Sequence, residues 1–311
     1  MKQYWLVLVV VAMLALTACG SSNSTASNKK AFIGGTVGVL TSFMPDEPPT
    51  EVTSSDYPFS VTVKLENKGE WEVPKDNVFI TLKGIDAGDF GISVADMKDQ
   101  HPDSDLTKNE LNPDTGEIVE STPAYKTFKL QYSKPITGNH EFPIVVDSCY
   151  EYGTLATGDV CVKEKPLDTT DTSVCTITGP KNLQNSGGPV QVTQFQEYTS
   201  GTDAVRFTIM IGKTGAGDVS KKGSTCSTDA GDKDYVHMKI NTDLQGDLSC
   251  AGLNDGTEAD IKLIDGLKQI TCTQKLTGDD KTDKVKLANI ELTYDYLDTI
   301  QTTVLVKQVS Q

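Results

Sequence analysis

Histidine is nearly absent from this 311-residue chain: His101, His140 and His237 are the only three, and none has a nucleophile motif beside it. No Gly-x-Ser-x-Gly elbow, phosphate-binding glycine loop or His-Glu-x-x-His pair is present, which removes the common hydrolase, nucleotide and zinc-protease signatures. Basic residues are also scarce, 28 against 43 acidic ones. A surface with this balance disfavours nucleic acid or an anionic membrane as a partner, because both reward lysine and arginine. No window beyond the first 18 residues has the roughly 20 uncharged apolar residues that a spanning helix needs. Cysteine is missing between Cys19 and Cys149.

What is present begins at the N-terminus. Lys2 is the one early charge, residues 5–16 are apolar, and small residues lead up to Cys19. This is the charged, apolar and small-residue order of a secretory signal. Leu16-Thr17-Ala18-Cys19 resembles the lipobox of prokaryotic lipoproteins at all four positions. The resemblance implies cleavage after Ala18, lipidation of Cys19, and a protein held at the extracytoplasmic side of the cell membrane. Stable anchoring takes more than one acyl chain. Residues 19–31 are mostly small and polar and read as a flexible tether.

Six cysteines follow: Cys149, Cys161, Cys175, Cys226, Cys250 and Cys272. An even number in an exported chain reads as disulfides, although six allow many pairings. Pairing of neighbours is the simplest expectation, with Gly153 and Gly158 turning the chain back between Cys149 and Cys161. No close cysteine pair or histidine at ligand spacing points to zinc, and no cofactor is expected.

Strand signals dominate. Phe59, Val61, Val63 and Leu65 alternate with polar residues, and Val78, Ile80 and Leu82 do the same. Residues 71–73, 125–132 and a short run at 142–146 complete a first set. A second set covers 190–195, 205–211, 235–240, 261–263, 285–294 and 302–309. Short strands between Gly, Pro, Asn and Asp clusters predict an all-β chain of two immunoglobulin-like β-sandwich domains. The charged, proline-containing stretch 163–171 suggests the boundary. The expected organisation is a signal peptide at 1–18, a tether at 19–31, a first domain at 32–165 and a second at 166–311.

Phe32-Ile33-Gly34-Gly35-Thr36-Val37-Gly38-Val39, Pro48-Pro49, Pro58-Phe59-Ser60-Val61, Leu65-Glu66-Asn67-Lys68-Gly69-Glu70, Asp147-Ser148-Cys149-Tyr150-Glu151-Tyr152 and Val160-Cys161-Val162 together resemble a block in uncharacterised surface proteins of small-genome archaea. This implies an envelope location and a β-rich fold, and no activity.

Three local features suggest functions. Segment 31–44 is apolar, bears glycines and precedes a proline-rich run, so it serves either as the first strand of its own sandwich or as a strand donated to a neighbouring copy in a filament. Asp103, Asp105, Asn109, Asn112 and Asp114 crowd one stretch with oxygen ligands, but Lys108 stands where a calcium loop of the EF-hand type needs glycine. Asp279, Asp280 and Asp283 are a weaker version. The reading these features support is a lipid-anchored surface protein with a structural, adhesive or interaction role, meeting a protein or glycan at the cell surface. It is not an enzyme; an envelope enzyme would need a cleft with convergent carboxylates or histidines.

Overall fold

The structure is a computed structural model that describes residues 30–54, 57–112, 114–168, 170, 174–254 and 256–308. The signal peptide, most of the tether, and Cys19 lie outside the described residues. The chain divides into two compact units, Met1–Lys30 and Ala31–Gln311; of the first, only Lys30 is described.

The second unit is nearly all β. Its first strands are β1 (Val39–Phe43), β2 (Glu51–Thr53), β3 (Phe59–Asn67), β4 (Val78–Lys83), the short pair β5 (Glu110–Leu111) and β6 (Ile118–Val119), and β7 (Ala124–Leu130). Next comes β8 (His140–Val162), then β9 (Gly179–Pro180), β10 (Leu183–Asn185), β11 (Val190–Thr199), β12 (Ala204–Lys213) and β13 (Asp218–Ser220). β14 (Tyr235–Thr242), β15 (Leu248–Ala251), β16 (Glu258–Lys262), β17 (Leu267–Lys275) and β18 (Lys284–Lys307) complete it.

The unexpected elements are β8 and β18, of 23 and 24 residues. They pair antiparallel without a break from Lys284↔Val162 to Val306↔His140. At about 3.3 Å per residue this makes a spine roughly 75 Å long. Even-numbered residues of β8, from Ile144 through Val162, face inward and are buried. At one end the sheet β1-β3-β7 covers that face, with Phe90 packed edge-on against both Phe59 of β3 and Phe142 of β8. At the other end the sheet β15-β17-β12-β11-β9 covers it, with the ring of Phe195 of β11 against Gly158 of β8. The architecture is therefore a β-sandwich with one long shared layer.

This arrangement corrects the expected division at 165/166. The chain does leave the spine after Val162, but β18 returns along its full length, and Leu305–Lys307 pair with Glu51–Thr53 of β2. Residues from both expected domains thus lie in one sheet and one core cluster. The expected strands at 285–294 and 302–309 are one strand, and Val309 lies outside the described residues. The expected short strand at 142–146 is the start of β8. In the 71–73 segment only Val73 pairs, through a single bridge to Leu106.

Four buried tyrosines fill the middle of the spine. Tyr152 stands opposite Tyr294, and Tyr150 opposite Tyr296. The Tyr150 hydroxyl donates to the Val39 carbonyl at 3.2 Å, and that of Tyr152 to Asn67 Oδ1 at 3.1 Å, tying in β1 and β3. The hydroxyls of Tyr294 and Tyr296 accept the N–H groups of Val190 and Gly217 at 3.3 and 2.7 Å. Buried phenols need such partners, and here they come from residues of both expected domains, Val39 and Asn67 from the first and Val190 and Gly217 from the second. Burial pushes all four phenols above the ordinary tyrosine range.

Candidate functional site

All six body cysteines are in disulfides: Cys149–Cys226, Cys161–Cys175 and Cys250–Cys272. Of the neighbour pairings expected from sequence, only the last occurs, between directly opposed residues of β15 and β17. Cys149 and Cys161 cannot meet, because both lie on β8 and an extended strand holds residues twelve apart at about 40 Å. Gly153 and Gly158 do not turn the chain. A Cβ on Gly153 would sit 2.4 Å from the Trp71 ring, and one on Gly158 would sit 2.9 Å from Phe195. These glycines let aromatic rings lie directly on the spine.

Odd-numbered residues of β8 and β18 face the other side of the long sheet, which neither smaller sheet covers. Register places Asn241, Asn289, Thr157 and Gln184 in one row across β14, β18, β8 and β10. The adjacent row holds Glu258, Lys239, Glu291 and Leu155, and the next holds Asp260, His237, Thr293 and Gly153. Parts of this surface are covered: Trp71 lies on Gly153, and the loop of residues 221–233 lies over the buried Asp295, pinned there by Cys149–Cys226. Asp295 accepts the Gly223 N–H at 3.0 Å and the Cys226 N–H at 3.4 Å. The segment around Phe32 also lies on it, strapped by the Ala31 N–H to Gln184 Oε1 at 2.6 Å and by the Ile33 N–H to Glu70.

Against that segment is a trough of about 390 Å³, lined by Phe32, Leu155, Thr157, Lys239, Asn241, Asn289 and Glu291 among others. Beside it, His237 Nδ1 lies 2.9 Å from Asp260 and Nε2 lies 3.0 Å from Glu258, while Lys221 reaches Asp260 at 2.8 Å and Lys239 reaches Glu258 at 3.7 Å. His237 and then Lys239 hold Glu258 below the ordinary carboxylate range, and Lys221 and then His237 do so for Asp260. Exposed ion pairs of this kind contribute little to stability. Lys239 is the member of this group that also lines the trough. Both nitrogens of His237 are engaged by carboxylates, so neither faces a nucleophile.

The remaining candidates are dispersed. His101 Nδ1 contacts the Val78 carbonyl at 2.7 Å, and His140 Nε2 contacts the Thr137 carbonyl at 3.1 Å, on different elements from His237. In the acidic stretch, Asp103, Asp105, Asn109 and Asn112 accept N–H groups of Tyr125, Lys75, Ser121 and Asp114 respectively. These side chains cap backbone instead of converging with Asp114 on a common point, and no group of three metal-binding His, Cys, Asp or Glu side chains occurs among the described residues. Asp280 pairs with Lys284 at 2.9 Å, and Asp283 accepts the Glu164 N–H at 2.7 Å; the Asp279 side chain lies outside the described residues. Within segment 31–44, Val39–Phe43 forms β1 and pairs with the chain's own β3.

The trough was not visible in sequence because four separate segments build it. The outward alternation of His237, Lys239 and Asn241 was its one local sign.

No family model matches this chain, and no curated protein matches it. Among solved structures it is similar to envelope protein VP37 from White Spot Syndrome Virus, at 8% identity and a TM-score of 0.24, over 47% of this chain and 97% of that one. It is also similar to the Enterococcus faecalis MSCRAMM ACE, described as binding its ligands by a collagen hug, at 8% identity and a TM-score of 0.13, over 90% of this chain and 98% of that one. Likeness at these TM-scores carries no argument.

Proposed function

We propose that this is a lipid-anchored surface protein of the cell envelope, tethered through Cys19 and acting as an interaction module without catalysis. The observation that carries the reading is the joining of all six body cysteines in three disulfides, since such bonds form and persist in oxidising, extracytoplasmic compartments. The lipobox resemblance at 16–19 supplies the anchor, and the acidic balance suits a soluble body held off an anionic lipid surface. The open, uncatalytic sheet face is the binding surface in this reading.

Cys19→Ser tests the anchor. The variant is expected to leave the membrane fraction or to accumulate with residues 1–18 uncleaved, as read by fractionation and N-terminal mapping. Normal processing and membrane retention in the variant would remove the anchor from the account.

A further inference from the structure

We infer that the trough on the open face of the long sheet is a binding site for a neutral, hydroxyl-rich ring, that is, a sugar residue of a surface glycan. This rests on the envelope reading above and gives that surface its ligand class.

Size comes first. A volume of about 390 Å³ falls within the roughly 300–1,000 Å³ of small-molecule sites. Charge is next. The lining carries one cation and one anion, Lys239 and Glu291, and Lys239 is already paired with Glu258 at 3.7 Å. Glu291 is then the uncompensated charge at the trough, which disfavours an anionic ligand. Hydrogen-bonding capacity then narrows the class. Asn289 Nδ2 donates to Asn241 Oδ1 at 3.2 Å, which leaves the Asn241 amide hydrogens and Asn289 Oδ1 without a side-chain partner among the described residues. Thr157 and the Glu291 carboxylate likewise have no side-chain partner among the described residues. Donors and acceptors therefore alternate over a few ångströms. A hydroxyl, which donates and accepts at one atom, matches such a surface better than a group that does only one. Finally, Phe32 and Leu155 give the trough an apolar side, suited to the C–H face of a ring. Phe32 is held there by the hydrogen bonds of the residues on either side of it, to Gln184 and Glu70.

A peptide strand is a poor alternative. β8, β18 and β14 are interior strands here, and their N–H and C=O groups are used within the sheet. Strand addition needs a free edge, and the trough lies on a face.

The test uses the full-length protein in detergent and a panel of methyl glycosides of glucose, galactose, mannose and N-acetylglucosamine, as monosaccharides and disaccharides. Glucuronate and glucosamine serve as charged comparisons. Saturation-transfer NMR should show at least one neutral glycoside binding through its ring C–H protons. Phe32→Ala and Asn241→Ala should each weaken that binding roughly ten-fold, the size of one lost contact of about 1.4 kcal/mol, with the β-sheet circular dichroism unchanged. Gln301→Ala, exposed on β18 beyond the trough, should leave binding as it was. Three results would overturn the inference: no binding by the folded protein across the panel, preference for a charged sugar, or full binding in Phe32→Ala. None depends on where the protein fractionates, so loss of the anchor and loss of the sugar site are separate results.

Discussion

Glu197→Ala is expected to destabilise the fold by about 3–5 kcal/mol, the cost of breaking a buried ion pair by removing one partner. Glu197 is 0% exposed on β11. Its Oε2 accepts the Cys161 N–H at 2.9 Å and pairs with the Lys181 ammonium at 3.0 Å, which also reaches the Thr176 carbonyl. Truncation leaves the Cys161 amide without its acceptor and a nearly buried lysine, still bonded to the Thr176 carbonyl, without its counter-charge. Urea unfolding of the two proteins at about pH 8, where Glu197 with its pKa of about 7 is ionised, measures the loss, and a difference below about 1 kcal/mol, the range of an ordinary surface substitution, would contradict it.

The same carboxylate predicts a pH dependence. Glu197 Oε1 is buried without a hydrogen-bond partner, and burial pushes the group's pKa up to about 7 despite the Cys161 N–H and Lys181. A carboxyl whose folded pKa lies above its unfolded value binds its proton more tightly when folded. Its contribution is fully present below the ordinary carboxylate range and is lost as pH rises through about 7. Stability should therefore increase as pH falls from about 8 to about 5, where the raised pKa and the ordinary value bracket the change. In Glu197→Gln that slope should flatten; an unchanged slope would assign it to other groups.

The second large effect concerns the loop of residues 221–233. Removing the Cys149–Cys226 bridge by the double alanine variant should cost about 4.5 kcal/mol, because it frees a closed loop with a sequence separation of 77. Removing Cys161–Cys175, with a separation of 14, should cost about 3 kcal/mol on the same account. The larger loss should come with a local sign. Thr225 and Cys226 both have φ of +54°, a conformation costly for residues with a Cβ. Once the bridge is gone, only the buried Asp295 and nearby polar contacts hold the loop, so proteolysis should begin there. Urea midpoints and limited proteolysis give both readings. If the Cys161–Cys175 variant proves the less stable, the loop-entropy account is wrong.

Much of the strand content could be read from sequence wherever the period of two was local. β3, β4, β7, β11, β12 and β14 each carry their own alternation of buried and exposed residues. The spine could not be read in this way, since Gly153 and Gly158 look like turn formers until Trp71 and Phe195 are known to lie on them. Those rings come from positions 82 residues before and 37 residues after their glycines, by direct difference of residue numbers. The cysteine pairing failed for the same reason: a turn assumed between Cys149 and Cys161 is extended strand. In β18 the run 297–303 mixes apolar and polar residues on both faces, which hid its continuity. Asp103 and its neighbours read as ligands because sequence shows carboxylates and amides but not the backbone N–H groups that occupy them.

The measurement that tests the account most directly is the nonreducing intact mass of the protein extracted from its native membrane. The account predicts a chain beginning at Cys19, six hydrogens lighter than the fully reduced form for its three disulfides, and heavier by two or more acyl chains. A chain that retains residues 1–18, or one with unmodified Cys19 and free thiols in the body, would contradict it.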